Sequence, residues 1–440
     1  RIKKSFEGCG LIAADADPFS GIVMPESKHR AFEAMAGSYL SGSDAVEALK
    51  RLFSKDALYS ARLGSVDDAA KGNAPVLSGE AAKKLYGNDI QLSASKIEDF
   101  GKCRFSYFCK YGLGARRLDK VDFDPLTRGN IVHYALEQFV NAHIDDIGTT
   151  DPAAIPDEVS AICDGYLVYI GAGKESLDDR FFYMITAIKR TVTYVCTALN
   201  NEFAQSKFRP RFCELKVGKG EAVEPVTVKS DNGCNVHIKG SIDRVDTSPD
   251  GSVRVVDYKT GHKSFDLSDL LDGMNMQMLI YLYTIIKNGR ELLGADRPAG
   301  VLYMRAARNT DTGDKRYIKM DGILDDDREV VRSMEADLGG KIVPAKINKK
   351  GTFDAYSKVI STDDFNTIFK YIDMTLARLG SLISNGNISA VPLKNGGRTE
   401  CEYCDYASVC RKDDQNICRE HKDLKIGETV ETMKEELKEI

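Results

Sequence analysis

The sequence predicts an α/β fold, in which a compact run of strands lies between helical segments. The hydrophobic period changes from helical to alternating near residue 210 and becomes helical again near residue 267. Gly, Asn, Asp and Pro turn residues divide the alternating stretch into short strands. We therefore expect a sheet with helices contributed from both ends of the chain.

Helical periodicity dominates the chain before the strands. We expect helices over 44–53, 128–143 and 179–203. A Ser-x-x-Glu capping box at Ser95 and Glu98 opens a further helix. That helix would present one face formed by Phe100, Cys103, Tyr107 and Tyr111.

The alternating stretch over 210–260 predicts a β-meander whose strands read FCELKVG, PVTVKS, NVHIKGSIDRVDTS and SVRVVDYKT. An amphipathic helix over 267–288, a strand over 300–305 and a helix over 361–384 follow. The tail from Glu420 carries seven acidic residues against four lysines, which predicts a solvated helix or a frayed end.

Composition excludes several classes of protein. With 42% hydrophobic and 29% charged residues, the chain is neither disordered nor collagen-like. Its 61 basic and 66 acidic residues give a net charge of −5, which argues against a basic nucleic-acid coat protein. No apolar run is long enough to span a membrane, so we expect a cytoplasmic protein with no membrane partner. The opening at Arg1 is typical of the middle of a longer chain.

The most informative segment is GSIDRVDTSPDGSVRVVDYKTG, over 240–261. A turn centred on Asp250 would pair residues whose numbers add to 500. Asp243 would then face Asp257, and Lys259 would share that face because side chains alternate along a strand. Two carboxylates and an ammonium group should therefore converge at one edge of this hairpin.

Opposed carboxylates destabilise a strand pair unless a cation lies between them. Mg²⁺ prefers carboxylate oxygens and commonly bridges them to phosphate, while a lysine can stabilise charge on a phosphoryl centre. The hairpin therefore predicts metal-dependent hydrolysis of a phosphodiester. The alternative is a solvent-facing hairpin with a local Asp–Lys pair, since the same acidic-x-Lys pattern recurs by chance, as at Asp423 and Lys425.

Four further side chains are candidates for this site. His133 follows Gly129 on a predicted helix and could be a metal ligand or an ordinary core or surface residue. Gln277 and Tyr281 are four residues apart and share a helix face, from which they could contact a phosphate backbone, although Tyr281 could equally be core. Glu214 could complete the acidic site or form a buried ion pair.

Most of the 11 cysteines have no neighbour at ligand spacing and should be small buried hydrophobes. The exception is a C-terminal group at Cys401, Cys404, Cys410 and Cys418. Its C-x2-C-x5-C run favours a metal or iron–sulfur centre.

These motifs resemble a known family. The segments KKLYGNDIQLSASKIEDFGKCRFSYFCKYGL, RGNIVHYALEQF, GSIDRVD, VVDYKTG, QMLIYLY and CEYCDYASVC are similar, in this order, to the C-terminal nuclease domain of the AddB family. That family supplies the second subunit of bacterial AddAB-type helicase-nucleases and belongs to the RecB-like branch of the PD-(D/E)XK superfamily. The resemblance covers about residues 84 to 412.

The resemblance implies a restriction-endonuclease-like core, a central mixed sheet flanked by helices. It implies domains at 1–90 (the end of an inactive helicase-like region), 91–415 (the nuclease) and 416–440 (an acidic tail). The metal ligands for Mg²⁺ or Mn²⁺ would be His133, Asp243, Asp257 and the Tyr258 carbonyl. Lys259 would be the catalytic lysine, with Gln277 and Tyr281 beside the active site and Glu214 an additional candidate.

The resemblance also implies that Cys103, Cys401, Cys404 and Cys410 hold a [4Fe-4S] cluster that joins the two ends of the nuclease. Arg104 follows Cys103 where the family usually has proline. The alternatives are a local site that uses Cys401, Cys404, Cys410 and Cys418, with Cys109 also near in sequence, and zinc as the metal.

The implied activity is that of a DNA exonuclease that processes the 5′-terminated strand in double-strand-break repair and recombination, in a heterodimer with an AddA-type subunit. Because the chain contains no Gly-x4-Gly-Lys-Ser/Thr phosphate loop, ATP-driven unwinding would come from that partner. One alternative is a standalone single-strand DNA exonuclease of the Cas4-like kind. The other is a DNA-binding scaffold with an iron–sulfur site and no catalysis.

Overall fold

A computed structural model describes residues 27–70, 76–116, 125–170, 179–261, 263–307, 316–410 and 418–439. The opening segment from Arg1 lies outside these ranges. The chain forms two units, one within residues 1–76 together with 387–389, and one that comprises 77–386 and 390–440. Among the described residues, no helix has both the length and the apolar character needed to span a bilayer.

The smaller unit contains three helices, α1 (Lys28–Gly37), α2 (Asp44–Phe53) and α3 (Tyr59–Ala70). Helix α2 confirms the predicted segment, and the Ser43 side chain caps it by accepting a hydrogen bond from the Val46 backbone N–H. Phe32, Phe53 and Tyr59 stack in a small aromatic core with ring centroids 5.1 to 5.2 Å apart. Burial of such rings stabilises the unit by about 1.5–3 kcal/mol each.

The larger unit contains twelve helices among its described residues, together with one π-helical turn at Phe108–Gly112. In chain order the helices are α4 (Gly79–Tyr86), α5 (Ala94–Lys102), α6 (Arg104–Tyr107), α7 (Pro125–Ala142), α8 (Ile155–Tyr169), α9 (Asp179–Gln205), α10 (Gln277–Asn288), α11 (Arg290–Leu293), α12 (Arg328–Met334), α13 (Thr362–Ser384), α14 (Ala407–Cys410) and α15 (Ile426–Glu436).

Its strands form three sheets. They are β1 (Asp89–Leu92), β2 (Arg209–Val217), β3 (Thr227–Lys229), β4 (Asn235–Ile238), β5 (Gly240–Thr247), β6 (Ser252–Lys259), β7 (Arg297–Arg305), β8 (Asp321–Asp325), β9 (Val359–Ile360), β10 (Leu393–Asn395), β11 (Arg398–Thr399) and β12 (Arg419–Glu420). The central sheet has the order β2-β5-β6-β7-β8-β9 and is mixed, because β6 and β7 are parallel while β5 and β6 are antiparallel. The small sheets are β1-β4-β3 and β11-β10-β12.

Helices cover both faces of the central sheet. Val255 and Tyr303 lie in one core with residues of α10 and α13, whereas Val256 and Leu302 lie in a second core with residues of α7, α8 and α9. Because both faces are buried, β6 reads as a nearly continuous apolar run instead of an alternating one. The predicted mixed sheet flanked by helices is therefore confirmed.

The predicted β-meander is wrong. The strand expected over NVHIKGSIDRVDTS divides at Lys239, so that β4 and β5 belong to different sheets. Strand β4 pairs in parallel with β1, and the Lys239 backbone N–H donates to the Leu92 carbonyl at 2.9 Å. Residues nearly 150 positions apart make this contact, and local turn signals carry no information about it.

Three predicted helix boundaries also differ. Helix α5 begins after Ser93, whose hydroxyl accepts from the Lys96 N–H at 3.3 Å, two residues before the expected capping box. It ends where Cys103 adopts an extended backbone, so the expected aromatic face does not lie on one continuous helix. The segment 267–288 is a 3₁₀ turn at Ser268–Asp272 followed by α10, because Asn275 takes a left-handed φ of 53° between them.

The acidic tail contradicts the expectation of a solvated end. Its helix α15 buries Val430 and Met433 in the same core as α13. The Tyr371 hydroxyl of α13 donates to Glu436 at 3.1 Å. Charge on the outer face of α15 therefore conceals an apolar stripe that packs against the nuclease core.

Candidate active site and cysteine cavity

The hairpin of β5 and β6 has the predicted register. Arg244 pairs with Val256 and Thr247 with Val253, so paired residue numbers add to 500 as expected. Ladder pairing ends one residue before Asp243 and Asp257. Instead, the Tyr258 backbone N–H donates to Asp243 Oδ2 at 2.8 Å, which turns that carboxylate toward the end of β6.

Three candidate ligands meet beside this hairpin. His133 on α7, Glu214 on β2 and Asp243 on β5 each offer one ligand atom, and the three atoms lie within 4.8 Å of one another. His133 Nδ1 is 3.2 Å from Asp243 Oδ2. Glu214 has a left-handed φ of 50°, and backbone strain of this kind in a non-glycine residue is concentrated at functional sites.

The electrostatics of His133 reflect its three acidic neighbours. Burial lowers the pKa of the imidazole, but the hydrogen bond to Asp243 and the charges of Asp257 and Glu214 outweigh that effect. The net result is a raised pKa for His133. The site therefore holds an excess of negative charge that attracts a cation.

Asp257 and Lys259 lie next to this triad. Lys259 Nζ is 2.6 Å from Asp257 Oδ2, and Gln277 Nε2 donates to Asp257 Oδ1 at 3.2 Å. Burial and the nearby Asp243 carboxylate raise the pKa of Asp257 to about 6, although Lys259 and His133 oppose the shift. Such a carboxylate is held in its charged form most effectively by an additional cation.

Tyr281 is buried in the core on α10. Burial and the charges of Asp243 and Asp257 raise the pKa of its phenol to about 12. The backbone of Gly240 passes so close to this ring that a Cβ there would overlap the Tyr281 hydroxyl. The ring is thus a core residue whose polar tip reaches the first residue of β5.

The opposite face of the same hairpin carries a buried charge network that the motif search did not identify. Arg244 donates to the Tyr258 hydroxyl at 3.0 Å, and Arg254 Nε lies 2.8 Å from Asp246 Oδ2. Arg254 also contacts Glu202 on α9 at 2.5 Å. Charged residues at Arg244, Asp246 and Arg254, out of phase with Asp243 and Asp257, are the sequence signal for this second set.

These donors suit a hard divalent cation. One imidazole nitrogen and several carboxylate oxygens form the donor set, and oxygen-rich sets of this kind suit Mg²⁺ or Mn²⁺. The strained Glu214 and the raised pKa of Asp257 both fit a site in which a cation offsets carboxylate repulsion.

A separate cavity of about 1150 Å³ contains the predicted cluster cysteines in its lining. Cys103, Cys401, Cys404 and Cys410 all line it, and so does Cys418. Burial raises the pKa of Cys103, backbone N–H groups of α6 oppose this shift, and the charges of Cys410 and Cys401 add to it. The structure therefore brings together cysteines from before and after the nuclease core.

Polar contacts hold the two sides of this cavity together. The Tyr406 hydroxyl donates to the Ala115 carbonyl at 2.8 Å, and the Arg419 guanidinium donates to the Gly101 carbonyl. Lys102 Nζ lies 3.6 Å from Glu400 Oε1. These contacts join segments that are about 300 residues apart in sequence.

The spacing of the cysteines bears on the choice of metal. Within the described ranges, the one group of three or more His, Cys, Asp or Glu with ligand atoms inside 4.8 Å contains no cysteine. A tetrahedral zinc ion with Zn–S bonds of about 2.3 Å requires sulfur atoms about 3.8 Å apart. The cysteine arrangement is wider than that and fits a larger, multinuclear cluster.

Comparison with known proteins places the chain in a family. Residues 91–411 match the PD-(D/E)XK nuclease superfamily. The chain is 28% identical over 356 residues to the AddB subunit of the ATP-dependent helicase/deoxyribonuclease of Thermoanaerobacter sp. (strain X514), covering 76% of this chain and 31% of that protein. The corresponding protein of Clostridioides difficile (strain 630) is 27% identical over 410 residues, covering 87% of this chain and 35% of that protein.

The chain spans about a third of the length of the curated relatives that it matches. These similarities confirm the resemblance to the AddB family that the ordered motifs indicated. Since the family match covers most of its length, the chain belongs to the PD-(D/E)XK nuclease superfamily.

Proposed function

We propose that this chain hydrolyses DNA with Mg²⁺ or Mn²⁺, as the nuclease part of an AddAB-type helicase-nuclease that processes the 5′-terminated strand at double-strand breaks. The observation that carries the proposal is the meeting of His133, Glu214 and Asp243 within 4.8 Å beside the Asp257–Lys259 pair. Metal ligands and a lysine at one sheet edge are the components that phosphodiester hydrolysis requires.

His133, Asp243 and Asp257 hold the cation in this proposal, with Glu214 and the Tyr258 carbonyl as additional ligands. A bound Mg²⁺ supplies Lewis acidity and lowers the pKa of water. The protein's own contribution is positional. The Tyr258 N–H fixes Asp243 at 2.8 Å, and Gln277 fixes Asp257 at 3.2 Å.

Lys259 acts on the reacting phosphate. Its ammonium group, 2.6 Å from Asp257, orients the attacking water and stabilises the negative charge that develops on the phosphoryl oxygens. Water adds to phosphorus, the phosphorus–oxygen ester bond breaks, and the leaving oxygen departs with a proton. The products are one phosphate monoester and one hydroxyl group.

The cysteine cavity holds a [4Fe-4S] cluster on Cys103, Cys401, Cys404 and Cys410 in this proposal. Support comes from their shared cavity and from a spacing wider than a zinc tetrahedron. Anaerobically purified protein should absorb at about 400 nm, and Cys103→Ala should abolish this band. Retention in Cys103→Ala together with loss in Cys418→Ala would establish the local four-cysteine site instead.

The partner in this proposal is an AddA-type subunit. The similar proteins are named as AddB subunits of an ATP-dependent helicase/deoxyribonuclease, while this chain carries no phosphate-loop motif. Co-purification with an AddA-type helicase tests the assignment. Failure to form that complex, with nuclease activity retained, would favour a standalone Cas4-like exonuclease.

The decisive experiment is a digestion assay with end-labelled DNA and Mg²⁺, using cluster-loaded protein. We expect the intact chain to cut DNA and Asp257→Ala to be inactive. Asp423→Ala is the matched control, because Asp423 also precedes a lysine by two residues but is exposed near the end of the chain. An intact chain that binds DNA without cutting it would identify a non-catalytic scaffold, and equal cutting by Asp257→Ala would refute the mechanism.

A further inference from the structure

A second concave surface adjoins the active-site edge. We call it the Tyr356 groove, a cavity of about 450 Å³ whose lining includes Arg305, Lys319, Lys346, Tyr356 and Lys358. None of these residues belongs to the proposed metal site. The groove combines four cationic side chains with an aromatic one, and the nuclease mechanism uses none of them.

The groove begins on the face of the sheet that carries the active site. Strands β6 and β7 are parallel, with Asp257 aligned with Tyr303 and Lys259 aligned with Arg305. Aligned residues share a face, so Arg305 projects on the side of Lys259. Lys259 Nζ also lies 5.5 Å from the centre of the Tyr303 ring, which confirms that side.

Positive charge in the groove is not neutralised by its own acids. Asp321 is paired with Lys358 at 2.6 Å, and Asp354 accepts from the Tyr356 backbone N–H and the Ser357 hydroxyl at 3.0 Å each. In the described part of the chain, Arg305, Lys319 and Lys346 have no ion pair and no side-chain hydrogen bond. Three cations are therefore available to an anionic ligand.

Tyr356 is 93% exposed, an unusual position for a large aromatic side chain. Its backbone is nevertheless well held. The Asp354 N–H donates to the Lys346 carbonyl at 2.9 Å, and the Ser357 hydroxyl donates to the same carbonyl at 3.2 Å. The ring is thus presented to solvent from an ordered turn.

We propose that the Tyr356 groove binds a single strand of DNA next to the catalytic centre, with a base stacked on Tyr356 and phosphates contacted by Arg305, Lys319 and Lys346. This proposal rests on the proposed function, because it assigns the path of that nuclease's substrate. Spaced cations with an exposed ring are the means by which proteins hold single strands. A duplex keeps its bases stacked on each other and would leave the ring unused.

The test is fluorescence anisotropy with a labelled oligothymidylate, in an Asp257→Ala background that prevents cleavage, over a range of NaCl concentrations. We expect Tyr356→Ala to raise Kd about 5- to 100-fold with little change in salt dependence, since it removes a stacking contact. Lys346→Ala should reduce the slope of log Kd against log salt by about 0.7, since it removes one phosphate contact to a single strand.

Two controls keep the result interpretable. Tyr356→Phe retains a stacking ring and should bind as the parent does, with the same melting temperature. Tyr183→Ala, at an exposed tyrosine on α9, should also leave Kd unchanged.

The two proposals fail in different ways. An intact chain that does not cut DNA refutes the proposed function. If the intact chain cuts DNA but Tyr356→Ala and Lys346→Ala bind the oligonucleotide as the parent does, the groove proposal is wrong. It is also wrong if both variants lose affinity for duplex and single strand equally.

Discussion

Individual side chains at the active-site edge carry charges that the fold holds close together at a cost. Asp257 is buried, and the Asp243 carboxylate beside it contributes to raising its pKa to about 6. Lys259 and His133 offset part of the repulsion. The geometry therefore depends on neighbours that keep these groups in place, among which Tyr281 and Gly240 are the tightest pair.

Gly240→Ala should displace the Tyr281 ring, because a Cβ at this position would overlap the hydroxyl group. Overpacking of this kind costs about 1–3 kcal/mol in the free energy of unfolding. Misplacement at the active-site edge should lower the rate of DNA cleavage roughly 10- to 100-fold. Urea unfolding and the digestion assay measure the two effects.

Gly165→Ala is the matched control, since nothing lies within 4 Å of a Cβ there. The double variant Gly240→Ala/Tyr281→Phe should recover part of the lost stability, because it removes the oxygen that the Cβ would overlap. Equal stability of Gly240→Ala and the parent would contradict the close approach.

His143 should make stability depend on pH. Its ring nitrogens lie 3.0 Å from Asp146 and 2.9 Å from Glu158. Burial lowers the pKa of His143, but the two carboxylates raise it more, so the net pKa is raised. The resulting stabilisation is complete below the ordinary histidine pKa of about 6.5 and is lost as the pH rises through the folded-state pKa.

His143→Gln should therefore lower the melting temperature at pH 5.5 to 6 and have a smaller effect at about pH 9. Thermal unfolding at the two pH values measures the difference. His29→Gln, at an exposed histidine of the smaller unit, should show no comparable change with pH. A destabilisation by His143→Gln that is the same at both pH values would count against the ion pairs.

Among the elements, α15 shows how charge on one face can conceal packing on the other. Met433→Ala removes a fully buried side chain and should lower the free energy of unfolding by about 2–5 kcal/mol. Glu435→Ala, at an exposed position on the same helix, should change it by less than about 0.5 kcal/mol. Denaturant titration distinguishes the two variants, and similar values for both would mean that α15 is solvated as its composition suggested.

Other elements were predicted to different extents. The β5–β6 hairpin was predicted with the correct register, because a tight turn at Asp250 and Gly251 sets the pairing locally. The start of α5 was placed two residues late, because Ser93 and Ser95 both suit a cap and only the backbone path after β1 selects Ser93. The fate of β4 was missed because its partner β1 lies far away in the chain.

At the scale of the larger unit, the proposed cluster acts as a covalent staple between Cys103 and Cys401. Closing a loop of about 300 residues removes denatured-state entropy worth roughly 5 to 6 kcal/mol, if the expression for disulfides applies. Removal of the cluster by chelation after oxidation should lower the free energy of unfolding by up to about this amount.

Thermal unfolding of cluster-loaded and cluster-free protein measures the effect, with absorption at about 400 nm as the check on loading. Cys163→Ala is the control, because this buried cysteine belongs to the second core and not to the cysteine cavity. Equal melting temperatures with and without the cluster would refute the staple.

The sequence by itself determined the local components: the hairpin register, the shared face of Asp257 and Lys259, the helices that surround the sheet and the family. Turn chemistry and the period of two act over a few residues, so they can be read from adjacent positions. Only the tertiary structure decided that Glu214 joins His133 and Asp243, that α15 packs on the core, and that the Tyr356 groove adjoins the active-site edge. Those contacts join residues far apart in sequence, where chain topology and not local propensity determines which side chains meet.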